Sequence, residues 1–111
     1  MAVKPAFLYL KIKIPALTKK TSILKQTTTI VNKLGLHARA AAKFVTHASL
    51  FNSEIFLKRN NREVNGKSIM GVMMLAAAKG SEIELIINGP DEAEAMQALL
   101  ELIANRFGEE E

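Results

Sequence analysis

The stretch QTTTIVNKLGLHARAAAKFV, residues 26–45, changes its hydrophobic pattern halfway along and decides the fold. Its first part, residues 26–32, is rich in β-branched residues and predicts a strand. A turn at Gly35 follows, and an alanine-rich helix is predicted over residues 38 to about 50. The apolar face of this helix comprises Ala41, Phe44, Val45 and Ala48. A strand that leads directly into an amphipathic helix predicts a domain in which helices pack against a sheet.

Four further strand or helix patterns follow along the chain. Residues 53–59 (SEIFLKR) alternate apolar and polar positions and predict a second strand. Asn60 and Asn61 adopt left-handed conformations at low cost, so they predict a tight turn into a short third strand, residues 62–64. Ser68 is a good N-cap for a short apolar helix over residues 69–75, before Lys79 and Gly80. The fourth strand is predicted over residues 81–88, with Ile83, Leu85 and Ile87 on one face.

The last helix carries clear end signals. Asp91 is the predicted N-cap, with Glu94 three residues later as in a capping box, and Gly108 is the predicted C-cap. Its apolar stripe consists of Met96, Leu99, Leu100, Ile103 and Phe107. The order β-α-β-β-α-β-α predicts an α+β fold, an open-faced β-sandwich whose four-stranded antiparallel sheet is covered on one face by three helices.

Composition excludes several classes of protein. The 111 residues suit one domain, and the absence of cysteine excludes disulfides and thiolate chemistry. No apolar run is long enough for a membrane span, and no signal peptide is recognisable. We therefore expect a cytoplasmic protein without stable membrane association. No metal-ligand spacing and no glycine-rich nucleotide loop is present, so we expect no metal and no cofactor.

The charge is unevenly distributed. Six lysines and no acidic residue lie in residues 1–25, which leaves nine basic against 11 acidic residues, a formal charge of −2, in the rest. We therefore divide the chain into a basic N-terminal extension (1–25), a domain (26–108) and an acidic tail (109–111). The extension is a disordered tail, an extra edge strand or sequence upstream of a mis-assigned start. A nucleic-acid role would depend on the extension alone, and we expect none.

His37 begins the first helix at a position where Ser, Thr, Asp or Asn is the usual cap. The first-turn N–H groups of a helix lack partners within it, and the helix dipole adds partial positive charge there. Gly35 lets the chain turn sharply, and Arg39 adds a permanent cation. This arrangement predicts an anion pocket around a nucleophile, since a neutral imidazole can attack a phosphoryl group and hold it as a phosphoramidate. The alternative is a solvent-facing histidine that happens to open a helix.

Two segments resemble one known family. GLHARAAAKFV (residues 35–45) resembles the active-site segment of the HPr family, the histidine phosphocarriers of phosphoenolpyruvate-dependent phosphotransferase systems. KSIMGVMMLAAAKGSEIEL (residues 67–85) resembles that family's second signature, and the similarity extends from about residue 26 to 108 in the same order of elements.

The resemblance implies roles for particular residues. His37 matches the histidine phosphorylated at Nδ1, which receives phosphate from an Enzyme I-type phosphotransferase and passes it to an Enzyme IIA-type acceptor. Arg39 matches the arginine that helps hold the phosphoryl group. Ser68 matches a regulatory serine that a dedicated serine kinase/phosphorylase modifies in many members. The chain would then be a stoichiometric carrier in sugar uptake or nitrogen-related regulation, and not an enzyme.

Some residues depart from the family pattern. Most members have proline after the arginine, where this chain has Ala40. The segment NKLG (residues 32–35) resembles the nitrogen-related branch, whereas KSIMGVM (residues 67–73) resembles the sugar branch. The sequence therefore leaves the pathway open.

Ser68 and the residues after it offer two interpretations. Capping alone is a sufficient reason for a serine at this position. The apolar side chains that follow are either partly core, with Ile69 and Met74 inward, or an adaptable docking surface. The resemblance favours docking by Ile69, Met70 and Met73, with Lys43 and Lys67 steering acidic partners. A second functional hypothesis is accordingly a regulatory protein-binding module, controlled by phosphorylation of Ser68 or His37, with little onward phosphotransfer.

Overall fold

The computed structural model describes residues 23–111, and the predictions made for residues 1–22 lie outside that range. The predicted order of elements is confirmed. The elements are β1 (Leu24–Thr29), α1 (Ala38–Ala48), β2 (Glu54–Arg59), β3 (Arg62–Asn65), α2 (Ile69–Met74), β4 (Glu82–Asn88), α3 (Glu92–Ala104) and a final 3₁₀ turn (Arg106–Gly108).

The four strands form one antiparallel sheet in the order β1-β4-β2-β3. β4 is central, because it pairs with β1 on one side and with β2 on the other. Ile55 and Leu57 of β2 are buried, as are the three isoleucine and leucine residues predicted to share a face of β4. Directly opposed residues in an antiparallel pair share a face of the sheet. The predicted α+β open-faced sandwich, with three helices on one face, is therefore confirmed.

The first strand and helix are shifted relative to the prediction. β1 begins two residues earlier than predicted and ends at Thr29, not at Asn32. The Ile30 N–H still donates to Ser81 O (2.9 Å), but the Asn32 side chain turns back to donate to Gly35 O (2.9 Å). A local turn bond thus replaces the sheet ladder. α1 ends at Ala48, two residues before the predicted end.

The predicted N-cap residue of α3 is confirmed, but its capping bond and the predicted C-cap are not. Asp91 occupies the N-cap position, but its carboxylate makes no capping bond. It accepts instead from the Asn52 and Ser53 N–H groups and from Ser53 Oγ. The helix ends at Ala104, so Gly108 is not its C-cap. Phe107 still completes the apolar stripe, because the chain after the helix folds it back into the core, where it is fully buried.

Within residues 23–111, no helix is long and apolar enough to cross a membrane.

Candidate functional site

The turn before α1 is built around Asn32 and Gly35. Asn32 is fully buried, and its Nδ2 donates to Gly35 O (2.9 Å) and to Glu109 Oε1 (3.0 Å). Its Oδ1 has no hydrogen-bond partner within residues 23–111, so the amide is held through its nitrogen. Gly35 has φ +69°, and a Cβ there would lie 2.5 Å from Ala77 O. This position therefore requires glycine for two reasons: its backbone conformation is left-handed, and the neighbouring backbone leaves no room for a Cβ.

His37 is the N-cap of α1, as the sequence indicates. Its backbone is extended (φ −76°, ψ −179°), and no side chain of the described residues caps the helix. The first turn contains no acidic residue of its own, so no side chain within the helix offsets its partial positive charge. The imidazole is 28% exposed. The ring therefore stands at the mouth of the helix and can be reached from solvent.

The tautomer of His37 follows from its contact with the C-terminal segment. Nε2 lies 2.5 Å from Oε2 of Glu109. A carboxylate only accepts hydrogen bonds, so Nε2 carries the hydrogen, and in the neutral ring Nδ1 keeps its lone pair. The geometry thus leaves Nδ1 as the nucleophilic nitrogen of a neutral His37.

Opposing influences act on the Glu109 carboxyl. Partial burial, the largest single influence, raises the pKa of Glu109. Hydrogen bonds from Asn32 and His37 lower this pKa, as do the charges of His37 and Arg39, and together they outweigh burial. The pKa of Glu109 therefore lies below its ordinary value of 4.5, and the carboxylate is ionised at neutral pH.

A left-handed turn brings Glu109 to His37. Arg106, Phe107 and Gly108 all have positive φ, at 59°, 54° and 80°. Such φ values are costly for Arg and Phe, and such backbone strain persists only where the surroundings enforce it. Burial of the Phe107 ring and a 3.0 Å bond from Lys43 Nζ to Phe107 O provide that enforcement. The turn reverses the chain after α3 and directs it across the mouth of α1.

This role of the tail is one that the sequence pattern did not reveal. Residues 109–111 were predicted to be an acidic tail only, whereas the Glu109 side chain is 14% exposed and forms part of the site. Lys33 fastens the end of the tail through its N–H to Glu111 O and through an ion pair of 3.2 Å with the Glu111 side chain. The buried aromatic followed by glycine at positions 107 and 108 was the available signal that the chain turns back.

His37 and Arg39 line one cleft of about 590 Å³, as expected from their spacing. Arg39 is exposed, and none of the ion pairs within residues 23–111 involves it. Its charge therefore remains available to an anion at the mouth of α1. The cleft is lined by Lys33, Leu34, His37, Ala38, Arg39, Glu109 and Glu111.

Ser68 caps α2 as predicted, because its Oγ accepts from the Gly71 N–H at 3.0 Å. The alternative that Ile69 and Met74 are core residues is wrong, since their exposed fractions are 43% and 57%. Met70 and Met73 are also exposed. These four side chains, Ile69, Met70, Met73 and Met74, form an apolar surface that we call the α2 surface, and α2 packs beside α1.

The two lysines predicted to steer partners are both tethered. Lys43 Nζ donates to Phe107 O in the left-handed turn, and Lys67 Nζ donates to Phe51 O at 2.7 Å. Each bond leaves the ammonium charge in place but fixes where it lies. The bond of Lys67 holds its ammonium group at Phe51, next to the start of α2. The bond of Lys43 supports the left-handed turn.

Comparison with known proteins now identifies the family. A family model described as "PTS HPr component phosphorylation site" matches residues 24–105. The chain belongs to the HPr family. The phosphocarrier protein HPr of Neisseria meningitidis serogroup A is 62% identical over 89 residues, which cover 80% of this chain and all of that protein. HPr of Cupriavidus necator is equally similar, with 62% identity over 89 residues and the same coverage.

A solved HPr structure confirms the fold. HPr from Thermoanaerobacter tengcongensis superposes with a TM-score of 0.76 at 49% sequence identity, covering 79% of this chain and 99% of the other. HPr relatives are named as phosphocarrier proteins, so a phosphocarrier role in the phosphotransferase system is the general function of this family.

Proposed function

We propose that this protein is a stoichiometric phosphoryl carrier that is phosphorylated on Nδ1 of His37. The observation that carries the proposal is the position of the His37 ring, at a helix mouth without a side-chain cap and with Nε2 held by Glu109. The donor is an Enzyme I-type phosphotransferase and the acceptor an Enzyme IIA-type protein, as in the family. The branch, sugar uptake or nitrogen-related regulation, is identified by the acceptor that discharges the carrier.

The transfer step needs no general base, because Nδ1 of neutral His37 already carries a lone pair. The Nδ1 lone pair attacks the phosphorus of the donor's phosphohistidine, a new P–N bond forms, and the donor's P–N bond breaks with its electron pair returning to the donor ring. Because Nε2 keeps its proton, the phosphorylated ring of His37 is formally cationic. The Glu109 carboxylate offsets that charge. Transfer to the acceptor is the same step in reverse.

The phosphoryl oxygens need donors of their own. The first-turn N–H groups of α1 and the exposed Arg39 guanidinium lie at the mouth where a phosphoryl group on Nδ1 would sit. Arg39 thus holds the group during transfer, and Asn32 acts through Glu109 as a positioning residue.

We further propose that partners dock on the α2 surface beside His37. Its exposed side chains, three of them methionines, suit more than one partner because methionine repacks readily. Lys67 and Lys43 add positive charge at fixed places, which favours acidic partners. Phosphorylation of Ser68 by a serine kinase/phosphorylase would place a dianion at this surface and repel such partners. The proposed location is the cytoplasm, where these partners act.

Phosphorus NMR after incubation with Enzyme I and phosphoenolpyruvate tests the carrier proposal. We expect an acid-labile phosphoramidate signal in the wild-type chain and none in His37→Ala. His47→Ala is the matched control, since His47 lies in the last turn of α1 with its ring bonded to Lys43 O, and it should be labelled normally. A signal that survives in His37→Ala contradicts the proposal.

The second candidate is a regulatory binding module, favoured by the location of Ser68 at the edge of an exposed apolar surface. Adding an Enzyme IIA-type acceptor to the phosphorylated protein separates the two functions. A carrier loses its phosphate to the acceptor, whereas a module that only docks keeps it.

A further inference from the structure

A second cleft, of about 520 Å³, opens where the turn between β2 and β3 meets the C-terminal end of α2. None of its lining residues lines the cleft at His37. The second cleft is therefore separate from the cleft at His37, although it shares Met74 with the α2 surface. Its lining residues are Arg59, Asn60, Asn61, Arg62, Met74, Leu75 and Ala76.

Two arginines lie side by side in the wall of this cleft. Arg59 and Arg62 are direct partners in the β2–β3 pairing, so their side chains lie on the same face of the sheet, where like charges repel. Nη1 of Arg59 donates to Leu75 O (3.1 Å) and Nη1 of Arg62 to Met74 O (3.0 Å). These bonds fix both guanidinium groups on the wall of the cleft.

The arginines keep most of their binding capacity. A guanidinium carries five N–H donors, and each carbonyl bond uses one nitrogen. No carboxylate within residues 23–111 forms an ion pair with either arginine, and no acidic residue lines the cleft. An anion that bridged the two guanidinium groups would relieve their repulsion and occupy the remaining donors.

The other lining groups indicate what kind of anion fits. The planar guanidinium group can donate two parallel hydrogen bonds to two oxygens of one phosphate group. A monatomic anion such as chloride cannot accept them in this geometry. The cleft is open to solvent and larger than a bare phosphate ion, so it leaves room beside the arginines for the body of an ester. The Asn60 and Asn61 amides can donate to and accept from hydroxyl groups, while Leu75 and Ala76 supply an apolar wall.

We propose that this cleft binds a small phosphate monoester. Its phosphate lies between Arg59 and Arg62, and its hydroxyl-bearing body lies against Asn60 and Asn61.

Titration of glycerol 3-phosphate into the ¹⁵N-labelled full chain tests this proposal. We expect saturable amide shifts at residues 59–62 and 74–76. Arg59→Gln and Arg62→Gln should each weaken binding roughly tenfold, as expected for the loss of a charge-assisted hydrogen bond. Glycerol alone should not bind, and inorganic phosphate should bind more weakly than the ester.

Lys58→Gln is the matched control, because it removes the same charge from the neighbouring residue. Lys58 is paired with Glu84 and Glu63 and lies on the opposite face of the sheet from Arg59. An equal loss of affinity in Lys58→Gln, shifts confined to residues 37–40, or no saturable shift overturns the proposal. If Arg59→Gln fails to fold, the exposed Arg62 decides, and unchanged affinity in Arg62→Gln overturns the proposal.

Discussion

At the scale of the residue, Glu109 determines the protonation pattern of the His37 ring. Its Oε2 accepts from Nε2 while its Oε1 accepts from Asn32, so both carboxylate oxygens are fixed. Ligand histidines in metal sites are oriented in the same way, by a partner on the nitrogen that does not react. In the proposed phosphotransfer, Glu109 would therefore be a positioning residue that acts through His37.

Glu109→Gln tests that role. The amide replaces a charge-assisted bond with a neutral one, which is worth about 1–1.5 kcal/mol less, so phosphotransfer to His37 should slow roughly tenfold. Nitrogen NMR of the imidazole should show the Nε2–H tautomer in the wild-type protein and a mixture of both tautomers in the variant.

Glu110→Gln is the control for this prediction. Glu110 carries the same charge one residue further along the chain, and it is exposed. It should leave both the rate and the tautomer unchanged. An unaltered tautomer in Glu109→Gln contradicts the positioning role even if the rate falls.

The lowered pKa of Glu109 also makes a prediction about stability. A carboxyl whose folded pKa lies below its unfolded pKa stabilises the folded state at pH values above the unfolded value of 4.5. That contribution is lost as the pH falls through the folded pKa. The difference in urea midpoint between the wild-type protein and Glu109→Gln should therefore be fully developed above pH 4.5 and should shrink as the pH falls below that value. A difference that grows on acidification would contradict the assigned direction.

His37 and Arg39 could be foreseen from the sequence, and Glu109 could not. The first two lie two positions apart at the start of one helix, so local geometry alone brings them to one mouth. Glu109 meets His37 across 72 positions, through a turn of three residues with positive φ. The hydrophobic periodicity of a sequence predicts local elements and gives no information about a contact between residues so far apart.

At the scale of the element, the turn before α1 depends on Gly35. Its φ is positive, and its α-carbon faces the backbone at Ala77 and Ala78. Leu36, the next residue, is buried and donates to Ala77 O at 2.9 Å. The segment after α2 thus fixes where α1 begins, and with it the position of His37.

Gly35→Ala and Gly80→Ala form a matched pair for testing this turn. Both glycines have positive φ, but a Cβ at Gly80 would meet nothing within 4 Å. Gly80→Ala should lower the free energy of unfolding by about 1–2 kcal/mol, because alanine is strained in this backbone conformation. Gly35→Ala should lower it by about 2–5 kcal/mol, because the new methyl group also clashes with the backbone at Ala77. Urea unfolding measures both changes. Equal losses in the two variants would show that crowding at Ala77 is unimportant.

The ends of elements were harder to predict than their existence. Alternating residues in β2 and β4 identified the buried face correctly, because burial follows the pleat. Asp91 was a plausible cap, but the Asn52–Ser53 turn offers its carboxylate more donors than the helix does. Tertiary bonds of this sort decide where a helix or strand ends, and they lie outside any local window.

At the scale of the whole molecule, the described residues 23–111 form one folded unit around a common core. The buried hydrophobic core of the sheet and helices lies there, and the HPr family match covers residues 24–105. Removing residues 1–22 takes away five lysines and no acidic residue, so the formal charge falls from +4 to −1.

We expect the chain without residues 1–22 to unfold cooperatively at the same urea concentration as the full chain. It should also be phosphorylated at the same rate, because all of the described residues that line the His37 cleft are retained. Far-UV circular dichroism and transfer from Enzyme I measure these properties. Loss of cooperative unfolding would mean that residues 1–22 contribute to the core.

The central position of β4 has a consequence for synthesis on the ribosome. Of the four described strands, β1 is made first but has no neighbour until β4 emerges, so the sheet cannot close before residue 88 has been made. The histidine likewise waits for a glutamate that is translated 72 positions later. A chain that stops before residue 109 would therefore contain His37 but lack the carboxylate that holds its Nε2.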